Sequence, residues 1–187
     1  MHINPLRKRK ESGELYTRRP PVTHFIEKSL DWPFDEFLRQ AEIKDRRHSD
    51  YVPSEVIVYH LRQTKSDNSD GRFVALYDIL RDRVEAACPR PNRHVDDTVY
   101  EDSRIAEIRD ATINHVTELM FIDRQGYDEQ LDIYEVVFDK AVRSARITKL
   151  RKVNRRENAT EEVEDAITGE IRTVVEAALD RYKKTGL

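Results

Sequence analysis

The chain has 187 residues, 37% charged and 38% hydrophobic, with a formal net charge of −3, a balance that suits one domain with a modest core, or a small domain with arms. It excludes a global polycation drawn to any nucleic acid or membrane surface, so nucleic-acid binding must be local. A single cysteine, Cys88, excludes an internal disulfide and a cysteine-based zinc site. With no apolar run near ~18 residues and no hydrophobic segment behind the N-terminal basic residues, the expected location is a reducing cytoplasm.

Residues 1–22 carry Arg7, Lys8, Arg9, Lys10, Arg18 and Arg19 against Glu11 and Glu14 and close on Pro20-Pro21. They read as a flexible basic arm, either touching phosphates or simply solvated. In residues 23–50, Asp31 or Asp35 can cap a short helix, with Pro33 in its first turn. Trp32, Phe34 and Phe37 are expected to pack on the main body. Ser54, after Pro53, is a candidate N-cap for a short helix carrying Val56, Ile57, Tyr59 and Leu61. Residues 64–71 are all turn formers and predict a surface loop.

From Arg72, apolar residues recur three and four apart at Phe73, Leu76, Tyr77, Leu80, Val84 and Ala87, which predicts a helix. It ends where Cys88-Pro89-Arg90-Pro91 cannot continue it. No basic neighbour at helical spacing activates Cys88, which reads as packing. A polar loop is expected over residues 92–100. A second long helix follows over about 102–122, with Ile105, Ile108, Thr112, Val116, Leu119 and Met120 as its buried stripe. Gln125-Gly126-Tyr127 breaks it.

The stretch 131–156 begins apolar and aromatic and turns basic, with Asp139 its only acid from residue 139 onward. Tyr134, Phe138, Ala141 and Ala145 share one helical face. A polar break is expected over residues 154–159, and then a helix over about 160–183 opened by a capping box of Asn158 and Glu161. That last helix has Val163, Ile167, Ile171, Val174, Ala178 and Tyr182 on one face and acids, Glu161 to Asp180, on the other. No credible strand is found. The expected fold is all-α, a helical bundle of about four long helices with short N-terminal helices, divided as a 1–22 arm, a 23–156 helical domain and a 157–187 acidic amphipathic helix.

Signals for catalysis are missing. The six histidines (His2, His24, His48, His60, His94 and His115) include no pair at metal-ligand spacing. No glycine-rich phosphate loop, G-x-S-x-G elbow or Glu-x-x-His motif occurs. The expectation is a non-enzyme with no cofactor and no metal.

Residues 72–156, about 85 of the 187, resemble region two of bacterial RNA polymerase sigma factors, especially the compact extracytoplasmic-function type. The run Phe73-Val74-Ala75-Leu76-Tyr77-Asp78-Ile79-Leu80-Arg81-Asp82-Arg83-Val84 looks like the start of that domain. The helix over 102–120 takes the place of the polymerase-binding helix. The run from Ile133 to Arg146, aromatic and then arginine-rich, is similar to the helix that opens the promoter −10 element. No helix-turn-helix domain accompanies it in residues 157–187.

The resemblance matches Tyr134 and Phe138 to the aromatic start of the DNA-facing helix, with two roles open to each, DNA binding or packing in the core. It implies that Lys140, Arg143, Arg146, Lys149, Arg151 and Lys152 face promoter DNA, with a single-stranded −10 element as partner. Glu107 and Asp110 fall where the polymerase core would bind. Cations near phosphates bind by counterion release, and aromatics stack on unpaired bases. The alternative is a protein–protein adaptor without DNA binding, in which the basic stretch pairs with the acidic helix over 161–180.

Overall fold

The computed structural model describes residues 3–95 and 98–185, and side chains at 3–92 and 98–159. Six α-helices, a short 3-10 turn and one pair of antiparallel strands make up the described residues, so the protein is mostly helical. By contact the chain divides into two units, Met1–Ile147 and Thr148–Leu187.

In the first unit, α1 (Pro20–Ser29) and α2 (Phe34–Ala41) precede α3 (Ser54–Arg62), α4 (Arg72–Ala86) and α5 (Ser103–Gln125). The three-and-four spacing read from the sequence holds in α4 and α5. α4 buries Phe73, Leu76, Leu80 and Val84, and α5 buries Ile108, Thr112, Val116, Leu119 and Met120. Asp102 caps α5 by accepting the Ile105 amide at 3.0 Å. Gly71, at φ 68°, turns the chain into α4 in a conformation that favours glycine. The short α3 is the central element, since Val56, Ile57, Val58, Tyr59 and Leu61 are all buried around its circumference. Phe37 joins this core, with Trp32 and Phe34 packed against it.

Several expectations change. Pro20 and Pro21 open α1, where a missing N–H costs nothing, rather than closing an arm. Pro33 and Pro53 occupy the N-cap positions of α2 and α3, so Asp31, Asp35 and Ser54 do not cap them. Residues 92–95 and 98–101 pair as strands β1 (Asn92–Val95) and β2 (Thr98–Glu101), antiparallel with Asn92 opposite Glu101, within the stretch 92–100 where a polar loop is expected from sequence.

The N-terminal segment is anchored rather than flexible. Leu6 is 4% exposed, and Lys8, Lys10, Gly13 and Tyr16 close a tight turn through backbone hydrogen bonds. Finally, α6 (Asp132–Thr185) is helical through residues 154–159, where a break and the Asn158 cap were expected. Among the described residues of α6, Val137 departs from helical dihedrals, at φ −149° and ψ 63°. The apolar and acidic side chains of 160–183, which the adaptor alternative invokes, lie outside the described residues.

The α1–α3 seam carries a titratable group. His60 Nε2 lies 2.8 Å from Ser29 Oγ, and its ring lies 4.1 Å from that of Phe37. Burial lowers its pKa to about 4. The unfolded chain therefore takes up a proton below pH ~6.5 that the native seam refuses until about pH 4, so the stability held above pH 6.5 falls across that window, by up to about 3 kcal/mol. Urea unfolding of His60→Gln at pH 7 and 4.5 should show a flatter pH profile than wild type. Parallel profiles would remove this role from His60.

Candidate nucleic-acid interface

The basic helix is placed by pairing its own charges with groups far away in sequence. At its start, Asp132 and Glu135 are 0% and 1% exposed in their side chains, and both pair with Arg62 from the end of α3, at 2.7 and 2.6 Å. Arg62, itself 4% exposed, also binds Asp123 of α5 at 2.6 Å and the Asp128 carbonyl at 2.7 Å. Arg18 reaches the second oxygen of Glu135 at 2.5 Å. Two guanidinium groups thus face three buried carboxylates, and neutral donors make up the deficit. The Arg7 and Lys8 amides each donate to Asp132 Oδ2 at 2.7 Å, and the Tyr127 hydroxyl donates to Oδ1 at 2.5 Å.

Burial alone would raise the Asp132 pKa, but the Tyr127 hydroxyl, the two amides and Arg62 together hold it below the ordinary carboxylate value. Burial and the bond to Asp132 push the Tyr127 phenol up to about 12. Its ring is sandwiched by Arg7 and Arg62, whose guanidinium carbons lie 4.2 and 4.3 Å from the centroid.

One turn later the helix breaks at Val137, which deprives the Phe138 amide of its regular partner. Glu55 of α3 accepts that amide at 3.3 Å, so a carboxylate 83 positions away acts as the cap for the basic segment, where a negative charge also suits the helix dipole. Arg19 balances Glu55 at 2.7 Å. Two further ties hold the segment. Arg46 grips Asp139 through both carboxylate oxygens at 2.5 and 2.9 Å, and Arg146 donates to the Ala87 carbonyl at the end of α4 at 3.1 Å.

The residues singled out from sequence separate accordingly. Tyr134 and Phe138, with DNA binding or core packing open to each from sequence, are core residues 3% and 1% exposed, with rings 5.9 Å apart edge to face. Their helical face turns inward because Ala141, Val142 and Ala145 bury on it too, so they offer no stacking platform. Arg146 is half-buried and occupied with α4. Lys140 and Arg143 are exposed and, among the described residues, have no ion-pair partner. Three apart, they are neighbours on the helix surface. In the second unit Arg151 and Lys152 are exposed and Lys149 is half-buried. On α5, Asp110 is exposed and Glu107 half-buried.

Sequence reading passed over the α2–α3 connection, residues 42–53. Arg83 clamps its base, donating to the Ala41 carbonyl at 2.7 Å and, at the other end, to Val52 at 2.7 Å and the Tyr51 hydroxyl at 3.1 Å. Lys44 reaches Asp82 at 3.4 Å. Only the Lys44-Asp45-Arg46-Arg47-His48 composition could have flagged it. A cleft of about 940 Å3 lies beside this loop, with Leu38, Ala41, Ile79 and Cys88 in its wall. Burial pushes the Cys88 thiol up, which keeps it protonated and unreactive. Among the described residues no helix is long and apolar enough to cross a membrane, and no group of three or more His, Cys, Asp or Glu forms a metal-binding cluster.

Neither family models, curated proteins nor solved structures give a match to this chain.

Proposed function

We propose that the protein is a sigma-factor-like, non-enzymatic transcription initiation protein whose basic helix meets promoter DNA. The observation that carries this reading is the pair Lys140 and Arg143, two exposed cations with no acidic partner among the described residues, on a helix segment held at Phe138, Asp139 and Arg146. A fixed segment loses little entropy when it binds a polyanion, so these two charges are preorganised for phosphate. With Tyr134 and Phe138 in the core, the contact is to the backbone rather than to flipped bases. Arg151 and Lys152 extend the cationic run in sequence. Glu107 and Asp110 on α5 are the proposed contact to the polymerase core, and the setting is cytoplasmic.

The test is fluorescence anisotropy with labelled single-stranded −10-like DNA and its duplex at ~50 mM salt, where surface electrostatics are least screened. Lys140→Glu with Arg143→Glu should weaken binding at least about tenfold without unfolding the protein. Equal binding by wild type and variant would sink the DNA reading.

A further inference from the structure

The ion pair between Arg46 and Asp139 places the loop over residues 42–53 beside the basic helix. Asp139 is the sole acid of residues 139–156, and Arg46 occupies both of its oxygens. Arg143 lies four residues on, hence on the same helical face about one turn away. The loop itself is built rather than slack. Arg83 holds its two ends, Lys44 reaches α4, and Arg46 reaches α6. Asp45 accepts the Arg47 amide at 3.0 Å in a tight turn that sets the loop tip. Arg47 is 92% exposed in its side chain, and its 3.4 Å contact with Asp45 is a solvent-exposed pair that a phosphate can replace. Within residues 42–53 the acids Glu42, Asp45 and Asp50 match Lys44, Arg46 and Arg47 in number, so the loop offers a polyanion the exposed head group of Arg47 rather than a net charge, beside Lys140 and Arg143 on the helix that Arg46 ties it to.

We propose that this loop is a second phosphate-contacting element, in which Arg47 meets a nucleic-acid backbone phosphate and Arg46 is a positioning residue that docks the loop on Asp139. The proposal rests on the nucleic-acid reading above and extends the interface from a helix to a helix plus a clamped loop. A loop that docks through Asp139 makes an unusual demand. Removing that acid adds net positive charge, yet it releases the loop.

The experiment measures anisotropy of the full chain with a fluorescein-labelled duplex of about 25 base pairs from 50 to 200 mM salt, each duplex phosphate contact contributing about 0.9 to the slope of log affinity against log salt. Arg47→Ala should lower that slope by about 1. Lys65→Ala, the same charge change in the 64–71 loop, should leave it unchanged. Asp139→Ala should weaken binding about threefold despite the charge gained, whereas charge alone predicts tighter binding. Circular dichroism melts confirm that each variant is folded. If wild type binds and Lys140→Glu with Arg143→Glu abolishes it, but Arg47→Ala behaves as Lys65→Ala or Asp139→Ala tightens binding, the loop proposal fails and the helix reading stands. If wild type does not bind, both fall.

Discussion

Replacing Arg62 by alanine is expected to remove about 3–5 kcal/mol of stability, the cost of leaving a buried charge cluster without its central partner. Asp123, Asp132 and Glu135, at 7%, 0% and 1% side-chain exposure, would retain Arg18 as the one guanidinium in contact with Glu135. Since a domain of this kind holds on the order of 5–15 kcal/mol in total, the alanine variant sits near the edge of folding. Arg62→Lys provides the gentler measurement. An ammonium cannot reproduce a fork that serves Asp123, Asp132, Glu135 and the Asp128 carbonyl together, nor its stacking on Tyr127, so a loss of about 2 kcal/mol is expected.

The pH dependence of the deficit identifies its cause. Without Arg62 the buried Asp132 carboxylate loses one of the bonds that hold its pKa down and binds its proton earlier than in wild type. The variant's disadvantage should therefore be largest near pH 8 and shrink toward pH 5. Urea unfolding at both pH values measures it. A deficit under about 1 kcal/mol that ignores pH would mean that the cluster contributes little net stability.

The same cluster explains why part of the fold was legible in the sequence and part was not. α4 and α5 were readable because their stripes are local patterns three and four residues apart, closed by prolines or a glycine turn. The strand pair at 92–95 and 98–101 left a weaker trace. Val95, Thr98, Val99 and Tyr100 are strand formers on either side of two acids, but four-residue strands are too short for alternation to stand out. The anchoring of the N-terminal segment left none, because it depends on backbone amides of Arg7 and Lys8 meeting a carboxylate more than 120 positions away. A run of lysines and arginines looks the same whether its main chain is captured or free.

The break in α6 is a similar case. Val137 is neither glycine nor proline, and nothing near it announces a kink. Tertiary contacts supply it. Arg62 and Arg18 hold the first turn, while Glu55 holds the next amide. Conversely, the polar residues at 154–159 resembled a break although their backbone stays helical. For the candidate site, the cations themselves were legible. Which of them are spent on structure was not, since Arg146 looks like Arg143 until the Ala87 carbonyl comes within reach.

Phe138→Ala tests the most consequential of these reassignments. The ring is 1% exposed, packed against Tyr134, and its residue is the first after the break in α6. Deleting a buried phenyl ring costs about 3–5 kcal/mol through lost burial and the cavity left behind. A base-stacking ring on the surface would cost almost nothing in stability and would instead forfeit about 1–3 kcal/mol of binding per base. Phe138→Leu separates the two roles cleanly. Leucine keeps most of the apolar volume, so the fold should lose only about 1–2 kcal/mol, and at a temperature where the protein is fully folded its affinity for single-stranded DNA should stay within about twofold of wild type. If Phe138→Leu instead leaves the unfolding curve in place and weakens binding tenfold, the ring reaches the nucleic acid after all. That result would require the segment between Val137 and Arg146 to leave its seat against Glu55 and Arg46 on binding, and it would make the break at Val137 a hinge instead of a fixed bend.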